Sequence, residues 1–286
     1  MILNGSGCLD ALAAPGVARA LDAFVTKTVT PLPREGNAPL RIAETEVGML
    51  NSIGLANPGI DRFLADLLPG LARLGIPIWV SIGGFSAPDY QDLCQRLDGR
   101  VEVAAIELNL SCPNVQAPDG GVTELVASAR AATAKPLYAK LSPALPDVTA
   151  VALAAERAGA DGLTLVNTIR GLSLDEETLA PTLSTTTGGL SGPALRPVAL
   201  AAVHACYSAS TLPIVGVGGV ESGRHALELI AVGASSVGLG TILFRDPGAP
   251  ARVRAELASE LAAIGLSDPA EARGLARAQD VALLPV

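Results

Sequence analysis

Basic residues are scarce in this chain, and lysine is the scarcest of them: of 20 Lys and Arg in 286 residues, only Lys27, Lys135 and Lys140 are lysines. Acidic residues number 28, so the formal net charge is −8, the opposite of the footprint that nucleic acid or an anionic membrane surface selects. Long hydrophobic runs are also missing. Apolar residues make up 49% of the chain but are scattered, and no run approaches the roughly 18 residues needed to span a bilayer. Residues 1–10 contain neither a basic segment nor an apolar stretch of signal-peptide length, so the expected location is the cytoplasm. The four cysteines, at positions 8, 94, 112 and 206, show no C-x-x-C spacing. They therefore offer no zinc or iron–sulfur ligand set, and any one-electron relay must lie in another chain.

What the sequence does hold is an alternation of short β-rich apolar runs with Ala-rich segments of helical period. Runs occur at 2–4, 24–29, 77–82, 104–110, 136–141, 162–167, 213–217 and 236–240. Helical patterns fall between them at 60–74, 88–97, 122–134, 147–158, 196–209 and 222–231, with two more at 250–264 and 269–278. Alternation of this kind specifies a parallel sheet with crossover helices. Eight strands point to closure, so the expected fold is a (β/α)8 TIM barrel spanning residues 1–286 as a single domain. Residues 30–58, with four prolines, break the rhythm and read as a long insertion over the C-terminal face of the barrel. Long loops of that kind usually serve a site.

Barrels of this class build their sites at the C-terminal strand ends and hold phosphate with the loops after strands 7 and 8. The seventh run ends in Val217-Gly218-Gly219-Val220 and the eighth in Gly238-Leu239-Gly240-Thr241, where small residues let backbone N–H groups approach a phosphate; tight turns would ask for the same glycines. The other strand ends are polar for so apolar a chain: Lys27, the stretch Asn109 to Asn114, Lys140, and Asn167-Thr168. Two of the three lysines thus sit at strand ends, which favours a site over a solvated rim. The turn Asn109-Leu110-Ser111-Cys112-Pro113-Asn114 places a thiol between carboxamides. Cys94 and Cys206, inside helical patterns, read as small buried hydrophobes. Cys8 stays undecided.

Over most of its length the chain resembles the class 1 dihydroorotate dehydrogenases. The resemblance rests on Phe24-Val25-Thr26-Lys27-Thr28, Arg34-Glu35-Gly36-Asn37, Met49-Leu50-Asn51-Ser52-Ile53-Gly54-Leu55, the Asn109 to Asn114 turn, Lys140-Leu141-Ser142-Pro143, Val166-Asn167-Thr168, Gly188-Gly189-Leu190-Ser191-Gly192-Pro193-Ala194 and Gly216-Val217-Gly218-Gly219-Val220. The segments 49–59 and 188–200 look more like subclass 1B. The resemblance implies an FMN flavoprotein, an oxidoreductase of pyrimidine biosynthesis that oxidises dihydroorotate to orotate. It also implies a partner subunit carrying FAD and an iron–sulfur cluster that passes electrons to NAD, in a homodimer or heterotetramer.

Carried over residue by residue, the resemblance assigns FMN to Ser6, Lys27, Thr28, Asn109, Lys140, Val166, Gly192, Gly218, Gly219, Gly240 and Thr241. It assigns orotate to Lys27, Asn51, Asn109, Asn114, Asn167 and Thr168, with Ser52, Ile53, Gly54 and Leu55 nearby. Cys112 takes the place of the catalytic base and Lys140 that of the charge beside the flavin. The chain departs from the family pattern at Ser81, where an asparagine usually touches the flavin, in the short loop 115–123, and at Gly7-Cys8-Leu9. A dihydropyrimidine dehydrogenase-like barrel shares the Asn-x-Ser-Cys-Pro turn, and the departures also admit a degenerate flavin-binding scaffold subunit. Both stay open at this point.

Overall fold

The computed structural model describes residues 1–110 and 121–279. Eight parallel strands form the barrel: β1 (Ile2–Asn4), β2 (Phe24–Val25), β3 (Ile78–Ile82), β4 (Val103–Asn109), β5 (Leu137–Leu141), β6 (Gly162–Leu165), β7 (Ile214–Val217) and β8 (Ser236–Leu239). From β2 to β8 each strand pairs with its chain neighbour, and β1 pairs with β8 through Ile2 opposite Val237. A parallel bridge between Leu3 and Ala23 joins the two remaining edges. The strands and crossover helices expected from the sequence are present, with ends displaced by a few residues.

The barrel interior is graded from apolar to polar because alternate strand residues point to its axis. Near the base, Leu3, Ala23, Val25, Trp79, Ala105 and Val215 pack as one buried cluster, with Tyr138 against it. The Trp79 and Tyr138 rings lie 4.3 Å apart and plug the base. Two residues further along each strand the same face carries Ser81 and Glu107, and then Asn109 and Lys140. The core outside the strands is the expected Ala, Leu, Val and Ile of the helices facing the sheet.

Three local departures from regular geometry have physical causes. The run at 24–29 is a strand only as far as Val25, because the Thr26 hydroxyl accepts the Ser81 N–H that a backbone carbonyl would otherwise take (3.1 Å). The chain then peels off at Lys27 and Thr28 and rejoins at Val29, which bridges Ile82. The helix at 60–74 carries a π turn, Phe63–Leu67, just before Pro69. Proline has no N–H and its ring crowds the carbonyl four residues back; the extra residue, with Leu68 N–H donating to Phe63 O, relieves both. The pattern at 269–278 forms two short helices, Pro269–Ala272 and Leu275–Gln279, separated at Gly274.

A second sheet, not expected from the hydrophobic pattern, is also present. Strands Ile42–Thr45 and Gly48–Asn51 form a hairpin within the 30–58 insertion, and this hairpin is extended by Gly188–Ser191 and Ile169–Gly171. The four run antiparallel and cover the mouth of the barrel, so the insertion is a hood only together with the segment after β6.

Candidate active site

Barrel rim and hood enclose one cavity of about 760 Å³, within the roughly 300–1,000 Å³ range of small-molecule and cofactor sites. Its floor is a polar network. Ser6 Oγ donates to Thr26 O at 2.8 Å and lies 3.4 Å from Thr28 Oγ1. Thr28 Oγ1 accepts from Asn109 Nδ2 at 3.2 Å, and Asn167 Nδ2 in turn donates to Asn109 Oδ1 at 3.3 Å. The Tyr90 hydroxyl donates to Asn109 O at 2.8 Å and braces the end of β4. The two carboxamides are thereby held at fixed orientations, and an amide carries both a donor and an acceptor group.

Ser81 lies beneath this floor, fully buried, with its hydroxyl 3.1 Å from Thr28 Oγ1. The asparagine of the family pattern is therefore replaced here by a chain of two hydroxyls that reaches Asn109. The site keeps a polar lining at that point, which answers one of the two motives for reading a degenerate scaffold; the other, the short loop 115–123, lies mostly outside the described residues.

Lys140 reaches the cavity from β5 and is 7% exposed. Its Nζ lies 3.7 Å from Oε1 of Glu107, a buried carboxylate that sequence reading passed over. Lys27 also lines the cavity, beside Gly7. Burial pushes the Cys8 thiol above its ordinary range, partly offset by the Lys140 and Lys27 ammonium groups, so Cys8 is a neutral thiol at the cavity wall. Burial likewise pushes Cys94 up to about 12 and Cys206 up to about 11, as expected of packed core cysteines.

At the far end the wall is made of backbone. Gly218 and Gly219, after β7, have φ of +143° and +68°. A Cβ on Gly219 would stand 2.7 Å from Arg196 Cβ and 2.9 Å from Gly192 O, so only glycine fits. A Cβ on Gly240, after β8, would meet only Cys8 Sγ within 4 Å, at 3.9 Å, leaving its backbone open to the cavity. Thr241 Oγ1 donates to Ser191 Oγ at 2.8 Å and ties the end of β8 to the hood. A cradle of glycine backbone at the ends of strands 7 and 8 suits a phosphate.

The hood supplies the other wall. Asn51 Nδ2 donates to Gly189 O at 3.2 Å, and the residues that follow, Ser52, Ile53, Gly54 and Leu55, line the cavity. Asn37 holds that stretch by donating from Nδ2 to Ser52 O at 3.1 Å and Ser52 Oγ at 2.8 Å. Thr168 is seated against Gly189, where a Cβ would approach Thr168 Oγ1 to 2.1 Å.

Every described residue singled out from the sequence lines this one cavity, including Val166, Gly192, Asn167 and Thr168. Cys112 and Asn114 lie outside the described residues. Sequence reading missed Ser191, which binds Thr241, and Glu107 beneath Lys140.

An eight-stranded parallel barrel with a glycine cradle at the ends of strands 7 and 8 and a hooded, carboxamide-lined site defines a class: the (β/α)8 barrels, which commonly hold phosphate at those strand ends. Within that class, residues 2–261 match the dihydroorotate dehydrogenase family, and the chain belongs to it. It is 46% identical over 265 residues to the dihydroorotate dehydrogenase B (NAD(+)) catalytic subunit of Desulforudis audaxviator, covering 90% of this chain and 86% of that protein. The catalytic subunits of the same name from Listeria welshimeri and Latilactobacillus sakei are 42% and 44% identical, each covered over 84% of its length by 86% and 87% of this chain. The crystal structure of DHODH in complex with ferulenol from Eimeria tenella superposes with a TM-score of 0.81, over 96% of this chain and 85% of that one, at 24% sequence identity. At that identity the likeness speaks to the fold.

Proposed function

We propose that this chain is the catalytic subunit of an NAD-linked dihydroorotate dehydrogenase, oxidising dihydroorotate to orotate in pyrimidine biosynthesis with FMN as cofactor. The observation that carries the reading is the convergence of residues from seven of the eight strand ends and from the hood on one cavity, with a glycine cradle suited to phosphate at one end and carboxamides on the floor. The described residues fit FMN. Gly192, Gly218, Gly219, Gly240 and Thr241 would take its phosphate end, and Ser6, Lys27, Thr28, Asn109, Lys140 and Val166 its ring. When bound, FMN supplies the hydride acceptor.

The protein's own groups divide the remaining work. Asn51, Asn109, Asn114, Asn167 and Thr168 meet the donors and acceptors of the pyrimidine edge, while Lys27 answers its carboxylate. Cys112, three residues after Asn109 in the sequence, removes the proton from C5. Lys140 sets a positive charge against the negative charge the cofactor gains on reduction. The relatives' name, catalytic subunit, supports a separate partner, and the cysteine spacing supports an FAD and iron–sulfur relay in that partner rather than in this chain. Among the described residues no helix is long and apolar enough to cross a membrane. The assignment to the cytoplasm rests on the sequence.

The assay is orotate formation from dihydroorotate with an artificial acceptor, with dihydrouracil run in parallel. Removing a positioned general base typically costs about 10²- to 10⁴-fold in the chemical step. Cys112→Ala should therefore retain FMN and orotate affinity while losing activity on that scale. Preference for dihydrouracil would move the chain to a different pyrimidine chemistry, and an undiminished rate in Cys112→Ala would remove this cysteine from the mechanism.

A further inference from the structure

Glu107 is a charged side chain in the barrel interior with no part in the reaction as derived above. It lies two residues before Asn109 on β4 and so points to the same face, toward the axis. Lys140, in register with Asn109 on the neighbouring strand, points there as well. The two side chains are 3% and 8% exposed, with Nζ and Oε1 separated by 3.7 Å. Lys140 lines the cavity and Glu107 does not, so the carboxylate sits behind the ammonium as seen by a ligand.

The contact is weaker than a stabilising pair requires. A separation of 3.7 Å is beyond hydrogen-bond length, and Glu107 Oε1 accepts no hydrogen bond among the described residues. Thr164, in register with Lys140 on the other side, also has an unpartnered hydroxyl, so no neutral group there fixes the ammonium. Buried ion pairs with unsatisfied atoms contribute little stability compared with apolar packing. Placement of charge is the better account of this one.

We propose that Glu107 is a positioning residue: its carboxylate draws the Lys140 ammonium to the cavity floor and offsets the positive charge that this corner presents to the cofactor. The proposal rests on the FMN reading above. An electron-rich reduced ring next to a compensated lysine is stabilised less than next to a bare one. Glu107 therefore acts to keep the flavin potential low, which suits onward transfer of its electrons to a low-potential acceptor.

The test is the midpoint potential of the flavin-loaded protein. Glu107→Gln keeps the shape and removes the charge, and it should tighten binding of reduced relative to oxidised FMN by about tenfold, an upward shift of about 30 mV for a two-electron couple. In a Lys140→Gln background the same substitution should shift the potential by less, because no ammonium remains there for the carboxylate to hold. A purely structural role would move the melting temperature and leave the potential in place. Should Glu107→Gln fail to accumulate as folded protein, Glu107→Asp, which keeps the charge but draws it away from Lys140, should give a smaller upward shift. An unshifted potential in whichever variant folds, or an equal shift with and without Lys140, would overturn the proposal. A wild type that takes up no FMN would remove the cofactor reading together with it, whereas FMN-loaded wild type with an unshifted variant removes Glu107 alone.

Discussion

Gly219 shows how closely a single residue is specified here. Its φ of +68° and the 2.7 Å separation from Arg196 Cβ exclude any β-carbon, and valine adds a branch to that clash. Gly219→Val should lose bound FMN, read as the flavin absorbance of purified protein; retention at wild-type stoichiometry would place the phosphate elsewhere. That glycine was legible because the strand-end pattern predicted a need for it. Lys27 and Lys140 were legible through the scarcity of lysine. Glu107 was not, since one carboxylate in an apolar strand forms no motif; only its two-residue spacing from Asn109 marked it as facing inward. Ser81 was legible only as a departure from the family pattern, because its hydroxyl contact with Thr28 is tertiary.

The helices were the most readable elements, because their ends are written in side chains that bind locally: Asp147 accepts from Ala150 N–H and Ser222 from His225 N–H. The hood was the least readable. Its strands are three or four residues long, two of the four residues in Gly188–Ser191 are glycine, and the pairing of Asn51 with Gly189 spans a sequence separation that no local period reports. Gly189 is nevertheless where the hood meets the site. Gly189→Ala would drive a methyl group into Thr168, so orotate affinity should fall about tenfold or more while FMN is retained. Equal orotate binding by flavin titration would separate Thr168 from the substrate. The helix Gly223–Ala231, behind the phosphate cradle, carries a pH dependence. Burial, and then the Arg196 guanidinium, hold the His225 imidazole below its ordinary range despite Glu228 and Glu221, and His225 Nδ1 accepts the Glu221 N–H at 3.2 Å. The folded state therefore prefers the neutral ring. Its contribution to stability is complete above the unfolded value near 6.5 and is lost as pH falls through the lower folded value. Denaturant midpoints should fall more steeply below about pH 6.5 in wild type than in His225→Gln; parallel profiles would show that this ring does not couple to folding.

At the scale of the whole molecule, barrel closure follows from eight strands and a graded interior, and the strand count made it legible before any coordinates. The first and last strands meet at Ile2 and Val237, and Arg254 clasps Asp22 beside that seam at 3.0 Å. A closed barrel sets all eight strand ends around one mouth, which is why residues from 6 to 241 share one cavity. The chain alone should reduce artificial acceptors well and NAD poorly, since its cysteines show no cluster spacing. The most direct measurement of the central claim is anaerobic mixing of the purified, flavin-loaded chain with dihydroorotate in a stopped-flow spectrophotometer. The proposed mechanism predicts bleaching of the flavin band with one orotate formed per flavin, and in Cys112→Ala a rate lower by about 10²-fold or more. A flavin that stays oxidised in wild type at saturating dihydroorotate would contradict the account.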